Sequence, residues 1–140
     1  MALWNVDLST EDGALGAAQI GSYACFVAVV LGLISTVLLV GVVMSDGRTA
    51  AAIFVAAFAL IEIIVYAVAG FRLRAGKGVV WGIAAAVLLT IEVVIKIAAI
   101  SFVGMMINGI LLVGVINGIR GARAMGRIVL SADDAGEIFS

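Results

Sequence analysis

Val79–Ile119, VVWGIAAAVLLTIEVVIKIAAISFVGMMINGILLVGVINGI, is the stretch that decides what kind of molecule this is. As a single helix rising about 1.5 Å per residue it would be about 60 Å long, roughly twice the 30 Å of hydrocarbon in a bilayer. It contains no loop-like polar break at which one helix could end in water. Backbone amides in hydrocarbon have only each other to bond, so the stretch must fold back as a hairpin whose two outer ends both reach water. The pattern therefore predicts spans over about 79–100 and 102–119, joined by a tight turn near Ser101 to Gly104.

Working outward, two earlier stretches have the same character, about 22–44 and about 50–71, and the first extends in helical style back through Ala14. The whole chain agrees. Of its 140 residues 65% are hydrophobic and 12% charged, and the mean hydropathy is +1.33. A soluble domain of this size has too little interior to hide that much apolar surface, so lipid must solvate it. The expected fold is all-α, a four-helix transmembrane bundle of two consecutive helical hairpins. Residues 1–21 read as an interfacial segment, 22–127 as the transmembrane domain and 128–140 as a short, flexible acidic tail with Asp133, Asp134 and Glu137. There is no proline to kink any span.

Charge placement sets the expected orientation. Arg72, Arg74 and Lys77 lie between the second and third spans, and Arg120, Arg123 and Arg127 follow the fourth. Arg48 alone lies on the opposite side, and Lys96 lies within a span. Basic residues are retained on the cytoplasmic side of short loops, so both termini are expected in the cytoplasm. The same six bases can hold anionic lipid head groups at about 1 kcal/mol each, although a solvated flank is the plainer reading. The N-terminal segment carries Asp7, Glu11 and Asp12 and no base, unlike a cleaved secretory signal, and is expected to be retained. Leu3, Trp4, Val6 and Leu8 can lie at the membrane surface, and Ser9 with Asp12 reads as a helix-starting capping box.

Chemical apparatus is scarce. Cys25 is the one cysteine and there is no histidine, which removes internal disulfides, CxxC sites and the commonest metal ligand. No GxxxxGK[ST] phosphate loop occurs, and Gly76-Lys77-Gly78 reads as a turn. A net charge of −1 offers no field for nucleic acid. The chain is expected to be neither an enzyme nor a holder of a cofactor or metal.

Three charged residues fall inside the spans, Glu62, Glu92 and Lys96, and each costs at least about 2.5 kcal/mol at the bilayer centre. Counted from the basic ends at about 1.5 Å per residue, Glu62 lies about 14 Å deep, Glu92 about 20 Å and Lys96 about 26 Å. Glu92 and Lys96 stand four apart in the order that favours an intrahelical pair, and Lys96 can snorkel outward. Glu62 has no base at its depth, so it is either protonated or met by a donor, for which Tyr66 one turn on is placed. Its face collects Ala51, Val55, Phe58, Ala59 and Ala69, and the Glu92 face collects Trp81, Ala85 and Ala99. These two faces are expected to meet each other or a partner protein, as structural contacts or as relays in an ion path. The fourth span adds Asn108 and Asn117, nine residues apart and half a turn out of phase. It also holds Gly109, Gly121 and the GxxxG step Gly114–Gly118, which lets another helix approach closely. Ala28 and Gly32 offer a similar small pair on the first span.

Gly70-Phe-Arg72-Leu-Arg74-Ala-Gly76 and Gly118-Ile-Arg120-Gly-Ala-Arg123 echo one another, as two hairpins of parallel design would. The ending Val115-Ile-Asn117-Gly-Ile-Arg120-Gly-Ala-Arg123-Ala, after three apolar spans, resembles that of small uncharacterised four-span bacterial inner-membrane proteins. The resemblance covers about Gly70 to Arg127 and implies a bacterial inner membrane, with no activity or site residue to carry over. From the sequence the leading functional expectation is an accessory or scaffold subunit packed among other membrane subunits. The alternative is a small homo-oligomeric channel or proton- or cation-coupled transporter that uses the intramembrane carboxylates.

Overall fold

The computed structural model describes residues 7–138, with side chains described as far as Leu130. Leu3, Trp4 and Val6 lie outside the described residues, as do the side chains of Asp133, Asp134 and Glu137. Four helices account for nearly all of it: α1, Glu11–Ser45; α2, Thr49–Arg74; α3, Val79–Ala98; and α4, Phe102–Ile138. All four are long and apolar enough to cross a membrane. The chain is an integral membrane protein with a four-helix bundle.

Helix ends differ from the sequence reading in instructive ways. α1 begins ten residues before Gly21, so part of the expected interfacial segment is the first turns of a long helix. Its cap is Thr10, whose side chain accepts from the Gly13 amide at 3.2 Å. Ser9 cannot serve, because its own hydroxyl and amide both donate to the Asp7 carboxylate, at 2.6 and 2.9 Å. Those two bonds hold the exposed Asp7 carboxyl below its usual range. At the other terminus α4 continues through 120–138 without a break, so the expected flexible tail has helical backbone.

Three helices end in one and the same way. The amide two residues past each cap reaches back five residues: Arg48 to Val43, Lys77 to Arg72 and Ser101 to Lys96. The residue before it adopts a left-handed backbone, Gly47 (φ 72°), Gly76 (φ 66°) and Ile100 (φ 54°). This is the Schellman closure, which glycine usually serves because it lacks a Cβ. Ile100 is the exception, and without a glycine to mark it the expected turn, near Ser101 to Gly104, lay slightly late. The turn lies at Ala99–Ser101, while Gly104 is inside α4, where a Cβ would press on the Lys96 side chain and Ser101 Oγ.

The helices run antiparallel in ring order, α1 beside α2 and α4, and α3 beside α4 and, less closely, α2. Their registers show it. Gly21 faces Gly118 and Ala24 faces Gly114, Phe26 faces Gly70, and Ile119 faces Gly82. At the end that carries both termini the packing is dense: Cys25, Tyr66, Leu73, Leu89 and Val115 are fully buried there. Toward the 46–48 and 99–101 turns, Ala52 is the one buried apolar residue among those described, and Val37, Leu38, Phe54, Ile95 and Val103 are exposed on their four helices.

Candidate functional site

The polar residues of three spans converge where the dense packing stops. Tyr66 on α2 is almost wholly buried, and its hydroxyl lies 2.7 Å from Glu92 Oε1 on α3 and 3.3 Å from Glu62 Oε1 one turn back on its own helix. The other Glu92 oxygen accepts from Lys96 Nζ at 3.1 Å and from Asn108 Nδ2 on α4. Glu92 is thus held from three helices, and the Glu92–Lys96 pair expected from spacing is formed.

The bonding is uneven. Glu92 accepts three donors, whereas Glu62 has one long bond to Tyr66, a carboxyl–carboxyl contact with Glu92 and no Lys or Arg within ion-pair distance. A phenol has one proton, and at 2.7 Å it is donated to Glu92, so the Tyr66 oxygen offers Glu62 a lone pair. Glu62 completes that contact only when its own carboxyl carries a proton. The arrangement Glu62–Tyr66–Glu92–Lys96 is therefore a continuous hydrogen-bonded chain once Glu62 carries a proton, and without it the Glu62 terminus is open to a proton or another cation.

That open terminus faces a cavity of about 270 Å³ inside the bundle. Ala28, Tyr66, Leu89 and Leu111 form its floor, and it extends past Glu62 and Glu92 to Leu38 and Gly104, toward the 46–48 and 99–101 turns. Below the floor the core is filled. Ser22, also below it, is buried with a hydroxyl that has no partner.

The two polar faces do meet, though over a shorter length than their sequence faces implied. Ala69 and Ala85 are buried between helices, but Phe58, Trp81 and Ala99 are exposed. Asn108 joins the cluster; Asn117 is buried at the dense end, away from it. Ala28 and Gly32 border the cavity, where Gly32 lies against Ile63 of α2. Gly114 and Gly118 receive α1: a Cβ on Gly21 would lie 2.5 Å from the Gly118 Cα, and one on Gly114 would lie 2.9 Å from Ala24 Cβ. Arg72, Arg74, Lys77, Arg120, Arg123 and Arg127 are exposed together at the terminal end, where the last three border a shallow cleft with Leu8.

What the sequence reading missed is the other half of the glycine contact. Ala14, Ala17, Ala18, Gly21, Ala24 and Ala28 recur at intervals of three and four along α1 and are all buried. That stripe, continuing through Gly121, which packs on Ala14, Ala17 and Ala18, was a legible signal for the α1–α4 seam. No known protein family, curated protein or solved structure matches the chain.

Proposed function

We propose that this chain binds a proton or another cation in a cavity within its bundle and works as an ion-coupled transporter or channel subunit, without catalysis. The observation that carries the reading is where the intramembrane carboxylates point. Groups that serve only to recruit a partner subunit belong on the outside of the bundle, but Glu92 borders a cavity between the helices and Glu62 stands at its edge toward α1. Two carboxylates against one ammonium leave that cavity with a surplus of negative charge when both are ionised, which favours cations. Six bases at the terminal end against Arg48 at the other support cytoplasmic termini, in a bacterial inner membrane, with the cavity in the outer half of the bundle.

The test is reconstitution of the purified chain in liposomes with an internal pH-sensitive dye and an imposed cation gradient. Gradient-driven proton movement is expected, lost in Glu62→Gln and in Glu92→Gln. The accessory-subunit reading is second, and a separate observation favours it: the splayed half leaves apolar faces on all four helices that another subunit can cover. Silent liposomes, together with co-purification at fixed stoichiometry with an unrelated complex, would put that reading first.

A further inference from the structure

We infer that the cavity is filled sideways from the bilayer, through a groove between the outer halves of α1 and α2, and that its ligand is a lipophilic organic cation. This rests on the reading of the cavity as a cation site and adds the route and the ligand class.

A groove of about 500 Å³ lies on the lipid-facing side of α1 and α2, walled by Leu39, Phe54, Val55 and Phe58. Ser35, Thr36, Ala59 and Glu62 line both this groove and the internal cavity, so the two spaces share a doorway. Glu62 is its one ionisable group. It is also the carboxylate in the cluster without a cation. The two hydroxyls at the doorway are already bonded to the carbonyl of Gly32, Ser35 at 3.1 Å and Thr36 at 2.7 Å. Their protons are thus engaged, and apart from these two hydroxyl oxygens the passage is apolar up to the charge.

Such a passage discriminates by chemistry. A hydrated inorganic ion would lose its water against leucine and phenylalanine with only two hydroxyl oxygens in return before reaching Glu62. An anion is repelled there. A neutral apolar molecule gains nothing from the carboxylate. A protonated amine or quaternary onium with apolar bulk matches both parts: its bulk is at home in lipid and along the groove, and its charge meets Glu62. Phe54 and Phe58, one turn apart and both exposed, offer ring faces to a cation on the way in.

The experiment uses the full chain in lipid nanodiscs, with carboxyl modification read by mass spectrometry and two probe cations, tetraphenylphosphonium and tetramethylammonium. A membrane-soluble carbodiimide is expected to modify Glu62 in preference to Glu92 and to outpace a water-soluble carbodiimide. Tetraphenylphosphonium should protect Glu62 at a concentration at least about tenfold below that needed of tetramethylammonium, reflecting the apolar surface it buries. Ala59→Trp, which narrows the doorway, should slow modification by about tenfold or more, a barrier increase of about 1.4 kcal/mol. The protection arm uses the unaltered protein, so it decides the matter even where Ala59→Trp folds poorly. Equal reactivity with both carbodiimides and equal protection by both cations would overturn the lateral route while leaving the cation site standing. Protection by neither cation would remove the site itself.

Discussion

The two ends of this bundle are built on opposite plans. At the terminal end α1 and α4 touch backbone to backbone, with Gly21 on Gly118 and Ala24 on Gly114, and the space between the four helices is filled by Tyr66, Leu73, Leu89 and Val115. At the other end Leu31 to Met44 of α1 and Ile53 to Ile61 of α2 leave most of their large side chains exposed. In lipid there is no hydrophobic penalty for that exposure, so helices associate only where close packing or polar contacts reward it. Small residues on both partners supply the close approach at one end. Branched side chains on all four helices withhold it at the other. The polar cluster of Glu62, Tyr66, Glu92, Lys96 and Asn108 stands at the junction, where it secures the last contact between α2, α3 and α4 and leaves an opening beyond.

By that contrast the same substitution should behave differently at the two ends, and the largest effect belongs to the glycines. Gly21→Leu, which drives a side chain into the Gly118 backbone, is expected to destabilise the fold by about 3 kcal/mol or more. Gly41→Leu, where nothing lies within 4 Å, should be close to neutral. Thermal unfolding in mild detergent compares the two, and similar midpoints would erase the distinction between the ends.

Next in size is a truncation pair. Leu89→Ala removes a fully buried side chain from the dense end and should cost about 2 to 4 kcal/mol. Leu38→Ala at the exposed end should stay within about 0.5 kcal/mol. A large loss at Leu38 would mean that the splayed half is packed against something, which would move the accessory reading forward.

A third pair sharpens the junction itself. Glu92→Gln breaks the pair with Lys96 and weakens bonds from Tyr66 and Asn108, for an expected loss of about 2 kcal/mol. Glu62→Gln can keep the contacts Glu62 makes with Tyr66 and Glu92 and should unfold within about 0.5 kcal/mol of the unaltered chain. Assembly lost in Glu62→Gln at neutral pH would show that its carboxyl bears structural load.

The smallest effects belong to the turns. Ile100→Gly relieves a branched residue from a left-handed backbone and should raise stability by about 1 kcal/mol, whereas Gly76→Ala at the terminal end should lower it by a similar amount. A midpoint that falls in Ile100→Gly would indicate that the exposed isoleucine is anchored by lipid or a partner.

Several parts of the site are legible in the sequence. Spacing announced the Glu92–Lys96 pair and placed Tyr66 on the Glu62 face, because a helical turn brings residues four apart together wherever the helix goes. Depth counting did not reveal that Tyr66 would bond Glu92 as well, since that needs the relative height and rotation of α2 and α3. The Gly114–Gly118 step was visible, yet its partner was not, because glycine invites close approach from any helix. The α3–α4 turn was legible to within about two residues, and its centre at Ile100 was not, as an isoleucine gives no local hint of a positive φ.

What the sequence by itself determined is that four apolar segments cross the bilayer as helices joined by short turns. That follows locally, since backbone amides in hydrocarbon have only their own helix to bond. Which faces meet, which carboxylate is fully partnered and at which end the bundle opens were decided only by the tertiary structure. In lipid one apolar face is as well solvated as another, so the choice falls to side-chain shape and to polar groups that must find each other across helices distant in the chain.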